Sequence, residues 1–162
     1  CAMTYDSVRV FMIDTVDKKL ELAKKAGAAV VMNALREDPV KRILALTDGR
    51  GADVVIELAG VPTTIRQAFQ ALKKTGRVGL VGLPAKPVEI EATSMIIYKE
   101  ATVYGSTGRS MFGTWDRMVR LVEKKQVNIG GVITDRLPLE MADEGFQRVI
   151  RGESGKVLFT PK

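Results

Sequence analysis

The chain has 162 residues, 46% of them hydrophobic and 27% charged, with one cysteine, no histidine and a formal net charge of +6. That length suits one domain able to bury roughly 68–70% of its extended surface, and the composition excludes collagen-like and disordered classes. A lone Cys1 excludes an internal disulfide framework. Without histidine a zinc site would have to be built from carboxylates, so no metal is expected on the chain. The same lack removes the commonest general base and the usual partner of a nucleophilic Ser or Cys. No apolar run reaches the about 20 residues of a membrane span, and no signal-peptide pattern opens the chain, so the expectation is a cytoplasmic protein with no membrane partner. The basic residues pair at helical surface spacing (Lys18/Lys19, Lys24/Lys25, Lys73/Lys74, Lys124/Lys125), several at expected helix ends, and few aromatics lie between them. That pattern fits solvated helix termini and not a nucleic-acid groove.

Taken in order, Val8 to Asp14 is a short apolar run ending on an acid, followed by a helix from about Thr15 to Ala26 with Val16, Leu20 and Ala23 on one face and Gly27 placed to end it. Ala29 to Met32 reads as a buried strand. Asp38-Pro39 is a helix start, acid as cap and proline first, with Val40, Ile43, Leu44 and Thr47 on one face and a stop at Asp48 to Gly51. A strand from Asp53 to Ile56 follows, then a helix from Thr63 to Lys74 that Gly76 ends, then a strand from Arg77 to Pro84 with two glycines. Val88 to Glu91 alternates like a short edge strand, Thr93 to Lys99 suits one or two helical turns, and Ala101 to Tyr104 is a further strand. A helix from about Met111 to Lys125 carries Trp115, Met118, Val119 and Val122 as a core-facing stripe. Val132 to Pro138 is extended. The last helix runs to Arg151 with Ala142, Phe146, Val149 and Ile150 facing inward, and Lys156 to Phe159 is the final strand. Alternating strands and helices predict a doubly wound α/β fold with a parallel sheet. No internal repeat or linker is visible.

The candidate site residues follow from that pattern. An acid ending the second strand of a dinucleotide-binding unit accepts hydrogen bonds from a ribose, and Asp14 stands at such a place. Capping the following helix explains Asp14 equally well, and both readings stay open. Lys19 either flanks the same ribose or is a solvated helix lysine. Gly60 and the turn at Val81 and Gly82 follow successive strands, at the carboxyl ends where parallel sheets bind ligands, although turn geometry alone also favours glycine. Lys156 either pairs with a phosphate or is simply exposed. No G-x-G-x-x-G occurs, and Gly49-Arg50-Gly51 lies in the wrong order, between a helix and a strand. Glu57, Asp53 and Glu100 are isolated acids, so no catalytic residue is assigned.

The run from Asp14 to Ala28 (DTVDKKLELAKKAGA), then Leu46 to Glu57 (LTDGRGADVVIE), then Gly76 to Pro84 (GRVGLVGLP) closely resembles the zinc-containing medium-chain alcohol dehydrogenases. Similarity continues through Lys99-Glu100, Gly105 to Arg109, Pro138 to Glu140, Gly145-Phe146 and Gly152 to Leu158, over essentially the whole chain. Gly108-Arg109 with Met111 to Trp115 is most similar to the threonine and polyol dehydrogenase branch, although Asp135 stands where a histidine is common in the threonine enzymes. The resemblance implies an oxidoreductase that moves hydride from a secondary alcohol to NAD, with zinc on a separate catalytic domain. Residues 1–162 would be a partial NAD-binding Rossmann domain, lacking the first strand and the glycine-rich turn. By the same resemblance Asp14 and Lys19 match the ribose-binding acid and its neighbouring lysine, Val81 the turn that contacts nicotinamide, and Lys156 a basic position near the pyrophosphate. The implied partners are NAD, a small alcohol substrate and further copies of the chain in a homo-oligomer, paired through an edge strand at Val88 to Glu91.

An absent first strand would leave the second and fourth strands with unpaired edges, so either another segment fills the gap or the sheet is rearranged. These residues alone are expected to bind NAD weakly and to turn nothing over. Two rival readings are a non-catalytic self-associating module and a Rossmann-like methyltransferase, whose second strand also ends in an acid that grips the ribose of S-adenosylmethionine.

Overall fold

The computed structural model describes residues 8–108, 112–124 and 129–161. In chain order the elements are β1 (Phe11–Asp14), α1 (Asp17–Lys25), β2 (Val30–Asn33), α2 (Pro39–Leu46), β3 (Ala52–Glu57), α3 (Pro62–Ala71), β4 (Leu72–Leu80), a π-helical turn (Thr93–Ile97), β5 (Thr102–Gly105), α4 (Gly113–Glu123), a 3-10 turn (Ile129–Val132), β6 (Ile133–Pro138), a second 3-10 turn (Leu139–Met141), α5 (Ala142–Ile150) and β7 (Lys156–Thr160). Every ladder is parallel, in three sheets ordered β1-β2, β3-β4-β5 and β6-β7. The α/β class is therefore as expected. Among the described residues β1 bonds only to β2, and β3 only to β4, so each keeps one open edge. No helix of the described residues is long and apolar enough to cross a membrane.

The chain forms two compact units: one holds the described residues up to Leu35 and those from Phe112 onward, the other runs from Arg36 to Gly108. In the first unit α1 has Asp17 in its first turn and Lys24 and Lys25 in its last, charges that complement the helix dipole, and Gly27 at φ 97 ends it. Leu20 and Met32 are its buried apolar residues. Lys18 Nζ donates to the carbonyl of Glu153, joining α1 to the turn before β7.

In the second unit α2 starts at the expected place: Asp38 Oδ1 accepts from the Val40 and Lys41 N–H groups at 2.9 and 3.2 Å, and Pro39 takes the first helical position. The core joins Ile65, Ala68 and Phe69 of α3 to Leu72 and Val78 of β4, with Val55, Leu80, Met95 and Ile96 packed around them. The open carbonyls at the end of α3 are met by Lys99 Nζ, which donates to the carbonyls of Phe69 (2.7 Å), Gln70 (3.0 Å) and Leu72 (2.5 Å). Burial holds that ammonium below the usual lysine value.

Four expectations are corrected. α3 ends at Ala71 and not Lys74, because the fully buried Leu72 turns extended and enters β4; Gly76 then lies inside the strand, where a Cβ would come within 2.7 Å of Leu72 Cγ. Lys73, expected at a helix end, instead pairs across the ladder with Asp53. Val88 to Glu91 forms no ladder: Val88 and Ile90 pack on the core, and the Glu91 carboxylate accepts from the Thr93 and Ser94 N–H groups ahead of the π-helical turn. The edge through which copies were expected to pair is thus not a strand. Finally, the stripes on α4 and α5 are not core. α4 buries no residue and leaves Trp115 45% exposed, while on α5 Phe146 is 61% exposed and Gly145 is the buried position, under the Phe159 ring. The outer ends of the expected Met111–Lys125 helix lie outside the described residues, as does Cys1.

Phe69, with no exposed surface, is the test of this core. Phe69→Ala should lower unfolding stability by about 3–5 kcal/mol in urea titrations, and an unchanged midpoint would mean that the core lies elsewhere.

Candidate functional site

At the carboxyl end of β1 the chain leaves the ladder with amides still to satisfy. Asp14 Oδ1 accepts from the N–H groups of Thr15 (2.8 Å) and Val16 (3.0 Å), a turn held by its own acid. Val16 is the cap position of α1 and the helix has no side-chain cap, so Asp14 is not the helix cap. Its second oxygen, Oδ2, accepts no hydrogen bond from the described residues and faces the Lys19 ammonium at 4.0 Å. The Asp14 side chain keeps 32% of its surface exposed and Lys19 keeps 49%. An acceptor oxygen on a partly exposed side chain, held beside a cation, suits a pair of vicinal hydroxyls and is unfavourable for an added phosphate.

Asn33, opposite Asp14 in the ladder, holds this turn from β2. Its Nδ2 donates to Asp17 Oδ1 (2.8 Å) and to the Thr15 carbonyl (3.3 Å), and its Oδ1 accepts from Leu35 N–H (3.0 Å). Sequence reasoning passed over Asn33. The visible signal was a polar residue closing the apolar run at Val30 to Met32.

Lys156 opens β7 and is exposed. It lines the rim of a cleft of about 210 Å³ between α5 and β7, whose walls include Phe146, Val149 and Phe159. Nearby, Asp135 of β6 accepts from the Thr134 hydroxyl at 2.6 Å and lies 3.4 Å from the Arg148 guanidinium. The Thr134 hydroxyl also accepts from Gly155 N–H. The Thr134 and Ser154 hydroxyls, with Lys18 and Arg148 adding charge, hold the Asp135 carboxyl below its ordinary value. Asp135 is therefore a knot between β6, α5 and the start of β7.

In the second unit β3 also ends on an acid. Glu57 is 5% exposed. Its Oε1 accepts from Ala59 N–H (2.9 Å), Gly60 N–H (3.0 Å) and the Thr64 hydroxyl (2.7 Å), and Oε2 accepts from Gly60 N–H (3.2 Å). Its main-chain carbonyl accepts from Val81 and Gly82 N–H at 2.9 and 3.1 Å. Gly60 and Gly82 meet backbone to backbone: a Cβ on Gly82 would lie 2.6 Å from Gly60 Cα, and one on Gly60, at φ 66, would lie 2.7 Å from Leu83 N. The structure thus brings Gly60, Val81 and Gly82 together in this unit, as it brings Asp14 and Lys19 together in the other. Glu57 and Thr64 were missed as partners because seven residues and a turn separate them in sequence. Among the described residues no group of three or more carboxylates or thiols could hold a metal, so the donors here do not fit zinc.

Two tests follow from these contacts. Gly82→Ala should destabilise by about 1–3 kcal/mol through collision with Gly60, whereas Gly79→Ala, which meets nothing within 4 Å, should stay within about 0.5 kcal/mol by thermal melting. Equal effects would contradict the contact. Because the folded-state pKa of Asp135 is depressed, its contribution is present above the ordinary value of 3.8 and is lost as pH falls through the lower, folded value. Unfolding titrations below pH 4 should show a shallower acid decline for Asp135→Asn than for the unaltered chain.

A family model described as zinc-binding dehydrogenase matches residues 1–124. The L-threonine 3-dehydrogenase of Bacillus licheniformis is 41% identical over 155 residues, 96% of this chain and 45% of that protein. The L-threonine 3-dehydrogenase of Pyrococcus abyssi is 39% identical, covering 94% of this chain and 44% of its own length. Among solved structures, the alcohol dehydrogenase of Thermus sp. ATN1 superposes with a TM-score of 0.83 at 27% identity over 95% of this chain and 44% of that one. The 2R,3R-butanediol dehydrogenase of Bacillus subtilis gives 0.81 at 28% identity, covering 94% and 43%. The chain spans a little under half the length of these proteins, and its parallel α/β elements match their Rossmann-type part. With three quarters of its length inside the family model, the chain belongs to the zinc-binding dehydrogenase family.

Proposed function

We propose that the chain is a partial NAD-binding Rossmann domain, residues 1–162, of a dehydrogenase that takes hydride from a secondary alcohol of the threonine or polyol kind. The observation that carries this is the turn after β1: Asp14 Oδ1 is occupied by turn amides while Oδ2, beside Lys19, is left for a ligand. Asp14 accepts the adenosine ribose hydroxyls, and Lys19 flanks them and balances the acid's charge. A carboxylate there repels a 2′-phosphate, so the unphosphorylated cofactor is selected. Lys156 is the basic position offered to the pyrophosphate.

In the second unit, Gly60, Val81 and Gly82 present main chain at the carboxyl ends of β3 and β4, where the two glycines leave room beside Val81 for a flat ring to approach. NAD, when bound, supplies the hydride-accepting ring. These residues bind and orient it, and none of them transfers a proton. The zinc chemistry of the parent enzyme requires a donor cluster that the described residues do not include. Oligomer formation belongs to the same proposal, with the cytoplasm as its compartment. The methyltransferase alternative shares the acid, but the blocks from Leu46 to Glu57 and from Gly76 to Pro84 resemble the dehydrogenases and argue against it.

Titration calorimetry of the 162-residue polypeptide tests the proposal. NADH should bind with a Kd of about 1 mM, more tightly than NADPH, with no heat from S-adenosylmethionine and no alcohol oxidation by these residues alone. Asp14→Ala should weaken NADH binding by about tenfold or more, the worth of a charge-assisted pair of hydrogen bonds. Unchanged NADH binding in that variant, or heat from S-adenosylmethionine instead, would overturn it.

A further inference from the structure

Glu57 performs two tasks from one position. Its buried carboxylate gathers the Ala59 and Gly60 amides and the Thr64 hydroxyl, fixing the turn after β3 and the first turn of α3. Its carbonyl takes the Val81 and Gly82 amides, fixing the turn after the neighbouring β4. The two turns then touch through Gly60 and Gly82, with no room for a Cβ at either. No lysine or arginine of the described residues forms a salt bridge with Glu57, so oriented amides and a hydroxyl alone hold a carboxylate that is 5% exposed. Donors of that kind fix direction as well as compensate charge.

We infer that Glu57 is a positioning residue that sets the main chain of Gly60, Val81 and Gly82 for the nicotinamide half of the cofactor. The inference rests on the proposed NAD-binding role. The reason for expecting a functional effect is geometric. A ring docked on main-chain atoms tolerates little displacement, since a shift of about 1 Å at a positioning contact is enough to lose most of its benefit. Glu57 is buried beneath the turns it binds, so it acts only through them. The amide of Glu57→Gln keeps one acceptor oxygen and loses the other together with the charge. Glu57→Ala loses every side-chain acceptor.

The test pairs NADH titration with amide hydrogen exchange in the free 162-residue chain. In Glu57→Gln the amides of Gly60 and Gly82 should exchange about tenfold faster while those of Ala68 and Phe69 in the core stay protected, and NADH affinity should fall about fivefold to tenfold. Glu57→Ala should lose more of both, and if it does not fold, Glu57→Gln carries the test. Faster exchange confined to Gly60 and Gly82 with unaltered NADH affinity would make Glu57 a structural residue only and overturn the inference. Uniformly faster exchange, reaching Ala68 and Phe69, would overturn it as well. Should the unaltered chain bind no NADH, the NAD-binding reading fails by itself, and the cofactor part of this inference fails with it; unchanged exchange at Gly60 and Gly82 would then refute the positioning of the turns separately.

Discussion

A strand that leaves a parallel ladder for a helix strands several N–H groups at the turn, and each needs an acceptor. In this chain the last residue of the strand supplies it twice. Asp14 ends β1 and accepts from Thr15 and Val16; Glu57 ends β3 and accepts from Ala59, Gly60 and Thr64. The two acids share a place in the fold and differ in occupancy. Asp14 has the shorter side chain, is partly exposed, and keeps Oδ2 directed at Lys19. Glu57 is buried and both its oxygens are used. On that difference rests the proposal of Asp14 for a ligand and of Glu57 for the turns.

Local chemistry was readable where a single residue type dictates it. Asp38-Pro39 specified the start of α2, and Gly27 the end of α1, because an N-cap acid, a first-position proline and a left-handed glycine each serve a nearly unique backbone role. Asp14 was legible as a candidate, though not the choice between ligand acceptor and helix cap. The capping reading depends on which amides its oxygen reaches, and the structure places them before the helix. Glu57 was unreadable as a partner of Gly82 because the link passes through its main-chain carbonyl, which no side-chain pattern reports.

The apolar stripes show a different limit. Periodicity marks which face of a helix is apolar, and says nothing of whether the surface that covers it lies in the same stretch of chain. Trp115, Met118 and Val119 on α4 and Phe146 and Ile150 on α5 have the expected spacing yet remain exposed. The open edges of β1 and β3 are comparable, with Ile13, Val54 and Ile56 all exposed beside them. Val88 and Ile90 differ in the other direction: their alternation suits an edge strand, but the same alternation also arises in a segment that lays one face on a core without any ladder.

The turn after β1 is proposed to face a ribose through the remaining oxygen of Asp14. Amide shift mapping of the isotopically labelled chain during addition of NADH tests it most directly. The Thr15, Val16 and Lys19 resonances should move progressively with NADH and much less with NADPH. Resonances that stay in place there while others respond, or that move equally for both dinucleotides, would contradict it.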